Sequence, residues 1–111
     1  MYNFGSIVLV PFPFTDLTAS KLRPALIVSK KSNNSDIMVA FISSQLNRKG
    51  LVIKSDRAEF HSSGLKIESM IRFDKIATLD KKIILGELGI LPVEFLQKNA
   101  RYFFDEFGFD K

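Results

Sequence analysis

The sequence predicts a mainly β domain, a small antiparallel barrel or curled sheet with one amphipathic helix at its C-terminal end. Three observations predict it. Short apolar, β-branched runs recur up to Ile90 and are separated by polar or Gly/Pro-marked turns. A stripe of helical period follows Pro92. The length of 111 residues, with 46% hydrophobic and 25% charged residues, is ordinary usage for one globular domain over 1–111. A chain of this size buries roughly 65% of its unfolded surface, enough for a core with a thin margin of stability.

Gly5 to Phe12 (GSIVLVPF) reads as a first strand, buried on both faces at its centre and stopped at Pro11-Phe12-Pro13. Residues 13–22 are a loop by composition. Arg23 to Ser29 (RPALIVS) is a second strand. Pro24 must begin it or lie on an edge, because proline donates nothing to a ladder. The turn at 30–36 (KKSNNSD) leads to a third strand, Ile37 to Ser43, and short spacing makes the three an antiparallel meander. A polar basic loop, 44–50, precedes a short strand, Leu51 to Ile53. Residues 54–65 read as polar and irregular, Ile67 to Ile76 as a strand, 80–82 as a turn, and Ile83 to Ile90 as a strand weakened by Gly86 and Gly89. Pro92 then opens a helix, with Val93, Leu96, Ala100, Phe103 and Phe107 on one stripe that Phe95, Tyr102 and Phe104 widen, and Gly108 as its stop.

Composition excludes much chemistry. Without cysteine there is no disulfide, thiol nucleophile or cysteine metal site, and one histidine, His61, excludes multi-histidine metal sites. No apolar run reaches the ~18 residues of a membrane span, so no membrane association is expected and a cytoplasmic protein is. No phosphate loop, nucleophile elbow or metal-binding carboxylate cluster is present. An enzyme on this chain is therefore expected to be cofactor-free, working with Arg, Ser, Thr, Asp, Glu, Lys or the one His. Net charge is +4, and the excess lies early: eight basic residues against two acidic ones between Lys21 and Arg57, with eight balancing eight from His61 onward. Such a region suits a polyanion, or is simply a solvated basic surface.

Arg23, at the mouth of the second strand, can present its planar fork to a phosphate; it can equally cap the strand or pair with Asp16. A hairpin through 30–36 sets residue 23 opposite roughly residue 43, so Arg23 and Ser43 should be neighbours. Phe12 and Phe41 are core candidates, whereas Phe14, between Pro13 and Thr15, is open to base stacking. His61 has no evident partner and reads as a surface residue. Eleven phenylalanines exceed what so thin a core can hide, so part of the stripe around Phe103 and Phe107 is expected to form a homodimer interface.

The runs GSIVLVPFPFTDLTASKLRPALIVS, IMVAFISSQL and ESMIRFDKIATLD, in this order over nearly the whole chain, resemble the PemK/MazF toxins of bacterial type II toxin–antitoxin modules. The resemblance implies an SH3-like barrel with a C-terminal helix, a twofold dimer, and an acidic cognate antitoxin as partner. It also implies metal-independent cleavage of single-stranded RNA, in which the 2′-hydroxyl attacks the adjacent phosphate to leave a 2′,3′-cyclic phosphate and a 5′-hydroxyl. The family's catalytic arginine matches Arg23 and its catalytic threonine matches Ser43. The loop 13–22 corresponds to the segment over the substrate groove, so Phe14, Thr15 and Lys21 are expected to bind RNA. Pro24, Ser44, Gln45, Arg48 and Lys49 complete that expected set. Two departures stand out: the hydroxyl is serine rather than threonine, and Ala77 occupies a place where the family often has arginine. Two other functions fit the same residues: a non-catalytic toxin inhibiting a protein such as DNA gyrase through the end Phe107-Gly108-Phe109, and a plain single-strand RNA-binding module.

Overall fold

Alternation along the central strands sends successive residues to opposite sides of one sheet, and both sides are buried. In the computed structural model, which describes residues 2–12, 21–30 and 35–108, the strands are β1 (Ser6–Phe12), β2 (Lys21–Ile27), β3 (Asp36–Ser43), β4 (Leu51–Ile53), β5 (Ser69–Asp80) and β6 (Gly86–Ile90). Among the described residues they form one antiparallel sheet in the order β4-β5-β3-β2-β1-β6, so the predicted meander of the first three strands stands at its centre. Ile7, Leu26, Ala40 and Ile42 feed one core, with Ile53, Ile71, Phe73 and Leu91. Val8, Val10, Ala25, Ile27, Val39 and Phe41 feed the other. Burial on both sides explains why the apolar runs are nearly continuous instead of alternating.

Two irregularities curl the sheet. β1 shifts register against β6 between Ile7 and Val8, and the β5 partner jumps from Ile76 to Arg72 between Ala40 and Phe41 of β3. That second bulge corrects the even alternation expected along β5, and it also lets the strand run on to Asp80, past the expected end at Ile76. β2 begins at Lys21 because Lys21 and Leu22 pair with Phe12 and Pro11. Pro24 lies within β2, and the β2–β3 pairing starts immediately after it, at Ala25. Beyond Ala25 and Phe41 the ends of β2 and β3 are therefore unpaired with each other, while β1 and β5 still ladder their outer sides.

The helices depart further from expectation. Residues 54–65 contain α1 (Ala58–Ser63), too short and too polar to show a period. Gly64 ends it at φ 76°, where the Leu88 backbone occupies the space a Cβ would need. Lys81–Ile83 form a 3-10 turn whose Lys82 N–H donates to Asp80 Oδ1 at 2.9 Å, so β6 starts only at Gly86. The single C-terminal helix is instead α2 (Val93–Lys98) and α3 (Ala100–Phe104). Asn99 breaks it: its Nδ2 donates to Phe95 O at 2.8 Å, taking the acceptor a continuous helix would offer its N–H, which turns to Leu96 O at 3.2 Å. Leu96 is buried and Phe95, Tyr102 and Phe103 pack on the first core, but Val93 and Phe104 of the expected stripe are exposed. No described helix is long and apolar enough to cross a membrane.

Candidate active site

Where β2 and β3 part from each other, a hollow of about 230 Å³ opens. Arg23 comes from β2, Ser43 from the last position of β3, Ser44 and Gln45 from the segment after it, and Arg72 and Lys75 from β5. Buried Phe41 and Ile42 make its floor. The register Ala25↔Phe41, continued by two residues, brings Arg23 opposite Ser43, as the hairpin arithmetic requires. Three cations line this hollow, and among the described residues no carboxylate does.

Local bonds fix two of these side chains. Ser43 Oγ accepts the Gln45 N–H at 3.0 Å, a serine turn that holds the rotamer and leaves the hydroxyl hydrogen to donate. Arg72 grips Asp74 with two bonds, Nε to Oδ1 at 2.8 Å and Nη2 to Oδ2 at 2.6 Å. Asp74 also pairs with Arg48 Nη1 at 2.6 Å, and the other prong of Arg48 donates to Glu106. The Arg72 bonds, and secondarily the charge of Arg48, hold the Asp74 carboxyl down at about 2 although partial burial pushes the other way. The same bonds raise Arg72 above the ordinary guanidinium value. Arg23 is exposed and, among the described residues, has no ion pair, so its fork is available to a ligand.

A family model for the PemK-like, MazF-like toxin of type II toxin-antitoxin system matches residues 3–102. The chain belongs to this family. Among solved structures, an endoribonuclease in complex with its cognate antitoxin from mycobacterial species aligns with a TM-score of 0.75 at 15% identity, covering 100% of this chain and 99% of that one. The Mycobacterium tuberculosis toxin MazF-mt6 aligns at 0.73 and 18% identity, over 96% and 99% of the two chains. A mycobacterial endoribonuclease aligns at 0.72 and 17%, over 99% and 94%. At such identities these neighbours establish a shared PemK/MazF-like fold. A comparison with curated proteins finds no match.

On this PemK/MazF-like framework the expected site residues divide. Arg23, Ser43, Ser44 and Gln45 come together. Pro24 lines an adjoining hollow of about 420 Å³ on the other side of Arg23, with Leu65, Lys66 and Ile67. Lys21 is exposed at the start of β2 opposite Phe12 and lines neither hollow. Arg48 and Lys49 line a different groove, and Arg48 is committed to two carboxylates, so it presents no free cation to Arg23's hollow. Phe14, Thr15, Asp16 and Phe109 lie outside the described residues, as does the Phe12 side chain. Arg72 and Lys75 were missed by the sequence reading because even alternation puts them on opposite faces of β5. The bulge at Phe41 brings both to one hollow. His61 is exposed on α1, edge-on to Phe60 at 5.9 Å, away from this site.

Proposed function

We propose that this protein is the toxin of a type II toxin–antitoxin pair and acts in the cytoplasm as a metal-independent endoribonuclease on single-stranded RNA. The observation that carries the reading is the meeting of Arg23 and Ser43 at two strand ends in one cationic hollow. The neighbours described as endoribonucleases support the same reaction class. In the reaction the ribose 2′-hydroxyl gives up its proton as its oxygen attacks the adjacent phosphorus, the P–O5′ bond breaks, and the leaving 5′-oxygen takes up a proton, so none is gained or lost overall. Arg23 directs two donors at the non-bridging oxygens, where charge builds. Ser43, its oxygen already held by the Gln45 N–H, donates its O–H to the phosphate. That turn supplies the rotamer control which a threonine methyl would otherwise give. Lys75, and Arg72 through the Nη1 that Asp74 does not engage, bind the flanking phosphates of the strand. The 2′-hydroxyl requirement makes RNA and not DNA the substrate.

A cognate antitoxin is the partner, as in the neighbour solved with its own. An acidic segment laid over the Arg23 hollow would block it, with ordering entropy offset by charge pairing and apolar anchors. The protein works as a homodimer. The test is incubation of purified protein with a long RNA in EDTA. Fragments ending in 2′,3′-cyclic phosphate are expected; RNA that stays intact over many enzyme equivalents overturns the reading.

A further inference from the structure

Beyond the Arg72–Asp74 pair lie two adjoining hollows that share Gly50 and Tyr102. The first, of about 500 Å³, runs past Arg48, Lys49 and Arg101. The second, of about 450 Å³, runs past Lys54, Arg57 and Lys98. The carboxylates along them are Glu59, Asp105 and Glu106, and Glu106 is already bonded to Arg48. Lys49, Lys54 and Lys98 have no ion pair among the described residues, and Arg57 has only a 4.0 Å approach to Asp56 with both side chains largely exposed. Phe95 and Tyr102 set half-buried rings between these cations, and the Arg101 guanidinium lies 5.0 Å from the Tyr102 ring centre.

One carboxylate links this trough to the candidate active site. Arg72 lines the Arg23 hollow, Arg48 lines the trough, and Asp74 bonds both guanidinium groups. A strand leaving the hollow past Arg72 therefore meets Lys49 after a single ionic bridge. We propose that the trough between Lys49 and Arg57 is a second binding path for the same single-stranded RNA, holding the part of the strand that flanks the cleaved bond. The lysines track phosphates, and the parts of the Phe95 and Tyr102 rings that the core leaves exposed, with Arg101 against Tyr102, meet the bases, the pairing of a positive groove with aromatic platforms that single strands use. An acidic peptide would account for the charge but not for the rings between the cations or for the link to the hollow. The inference rests on RNA being the substrate.

The triple variant Lys54→Ala/Arg57→Ala/Lys98→Ala tests it. Binding is read by anisotropy in EDTA with a 2′-O-methyl RNA of roughly 20 nucleotides, which lacks the attacking hydroxyl and exceeds one site's span. The variant should bind at least about 10-fold more weakly, with its salt slope reduced by about 2, from roughly 0.7 per lost phosphate contact. Cleavage of a dinucleotide, which carries only the scissile phosphate and offers none to the trough, should be unchanged. Tyr102→Leu, which removes the ring, should weaken the longer RNA about 5-fold or more, read at a temperature where its melting curve shows the variant folded, since Tyr102 also packs on the first core. Wild-type affinity and slope in the triple variant overturn the path. If the variant keeps RNA affinity but loses a polyglutamate peptide, the trough belongs to an acidic protein instead. RNA cleavage by the wild-type protein together with RNA binding that the triple substitution leaves unchanged sinks the path alone. Protein that shows the expected binding losses but cleaves nothing sinks the endoribonuclease reading alone.

Discussion

Arg23 and Ser43 carry different demands on geometry. If Arg23 stabilises a phosphorane, two parallel donors matter as well as charge, so we predict that Arg23→Ala lowers the initial cleavage rate about 10²–10³-fold. Arg23→Lys should recover only part of that, because a lysine supplies a point charge. Ser43→Ala should slow cleavage while weakening RNA binding by only about 0.5–1.5 kcal/mol, the contribution of one neutral hydrogen bond. Ser43→Thr should keep or raise activity. His61→Ala, on exposed α1, should cleave like wild type. Rates on one fluorescent RNA in EDTA, with melting controls, decide it: a fully active Arg23→Ala beside a dead His61→Ala would move the site to the histidine. The meeting of Arg23 and Ser43 was legible beforehand because a hairpin register is arithmetic across the turn at 30–36. The contribution of Arg72 and Lys75 was not, because a bulge leaves no period in the sequence and none is marked by a glycine at Phe41. Arg48 was misplaced for a related reason: charge counts treat it as free, whereas folding brings Asp74 and Glu106 to it from residues 26 and 58 positions away.

Among the elements, strands β1, β3 and β4 could be read nearly to the residue, because long apolar runs buried on both sides are their own signature. The helices could not. Six-residue segments such as Ala58–Ser63 hold too few turns to display a stripe, and Asn99 breaks the C-terminal helix with a side-chain bond that periodicity cannot register. Gly64 is where α1 meets β6, and Gly64→Ala should cost roughly 1–2 kcal/mol for the left-handed backbone alone, before the clash with Leu88. A fall in melting temperature of about 5–10 °C is expected; a melt within a degree of wild type would show that the α1–β6 junction is not as close as described. β5 is tied to the end of α3 by the Arg72–Asp74–Arg48–Glu106 chain, and this contribution has a defined pH range. The Asp74 carboxyl is held at about 2 in the fold against 3.8 as its ordinary value. The fold therefore binds fewer protons there than the unfolded chain, and the stabilisation is complete above pH 3.8 and lost as pH falls through about 2. Asp74→Asn should be less stable than wild type at neutral pH, by an amount on the order of 1 kcal/mol for so exposed a network. That difference should shrink toward zero between about pH 4 and pH 2 in thermal melts. A gap that stays constant over the range would mean the carboxylate's charge is not what stabilises.

At the scale of the whole molecule, the two cores are closed on most sides, yet one apolar face is not. Phe104 is 53% exposed, edge-on to Phe103 at 5.5 Å, beside a hollow of about 180 Å³ lined by Phe4, Val28, Phe73, Leu96 and Ala100. Leaving that ring in water forfeits roughly half of the stabilisation a buried phenylalanine brings, and a second copy of the chain can recover it by covering ring and hollow together. A stable isologous contact needs about 800 Å² from each copy, which one ring cannot supply. Phe107, whose ring centre lies 4.8 Å from that of Phe103, extends the face within the same C-terminal segment. We predict a homodimer at micromolar concentration, with a mass by light scattering twice the 12.6 kDa of one chain. Phe104→Glu places a carboxylate where burial would strip its water, so the variant should run at 12.6 kDa and, at concentrations where the wild type is dimeric, melt below it, the two converging on dilution. Because Phe104 lies outside the Arg23 hollow, the monomeric variant also separates assembly from chemistry. Lost cleavage with intact folding would mean that two copies must meet for the hollow to hold RNA. Retained cleavage would confine the dimer to stability. A wild-type protein that stays at the monomer mass at micromolar concentration removes the dimer altogether, and with it the explanation offered for so exposed a phenylalanine.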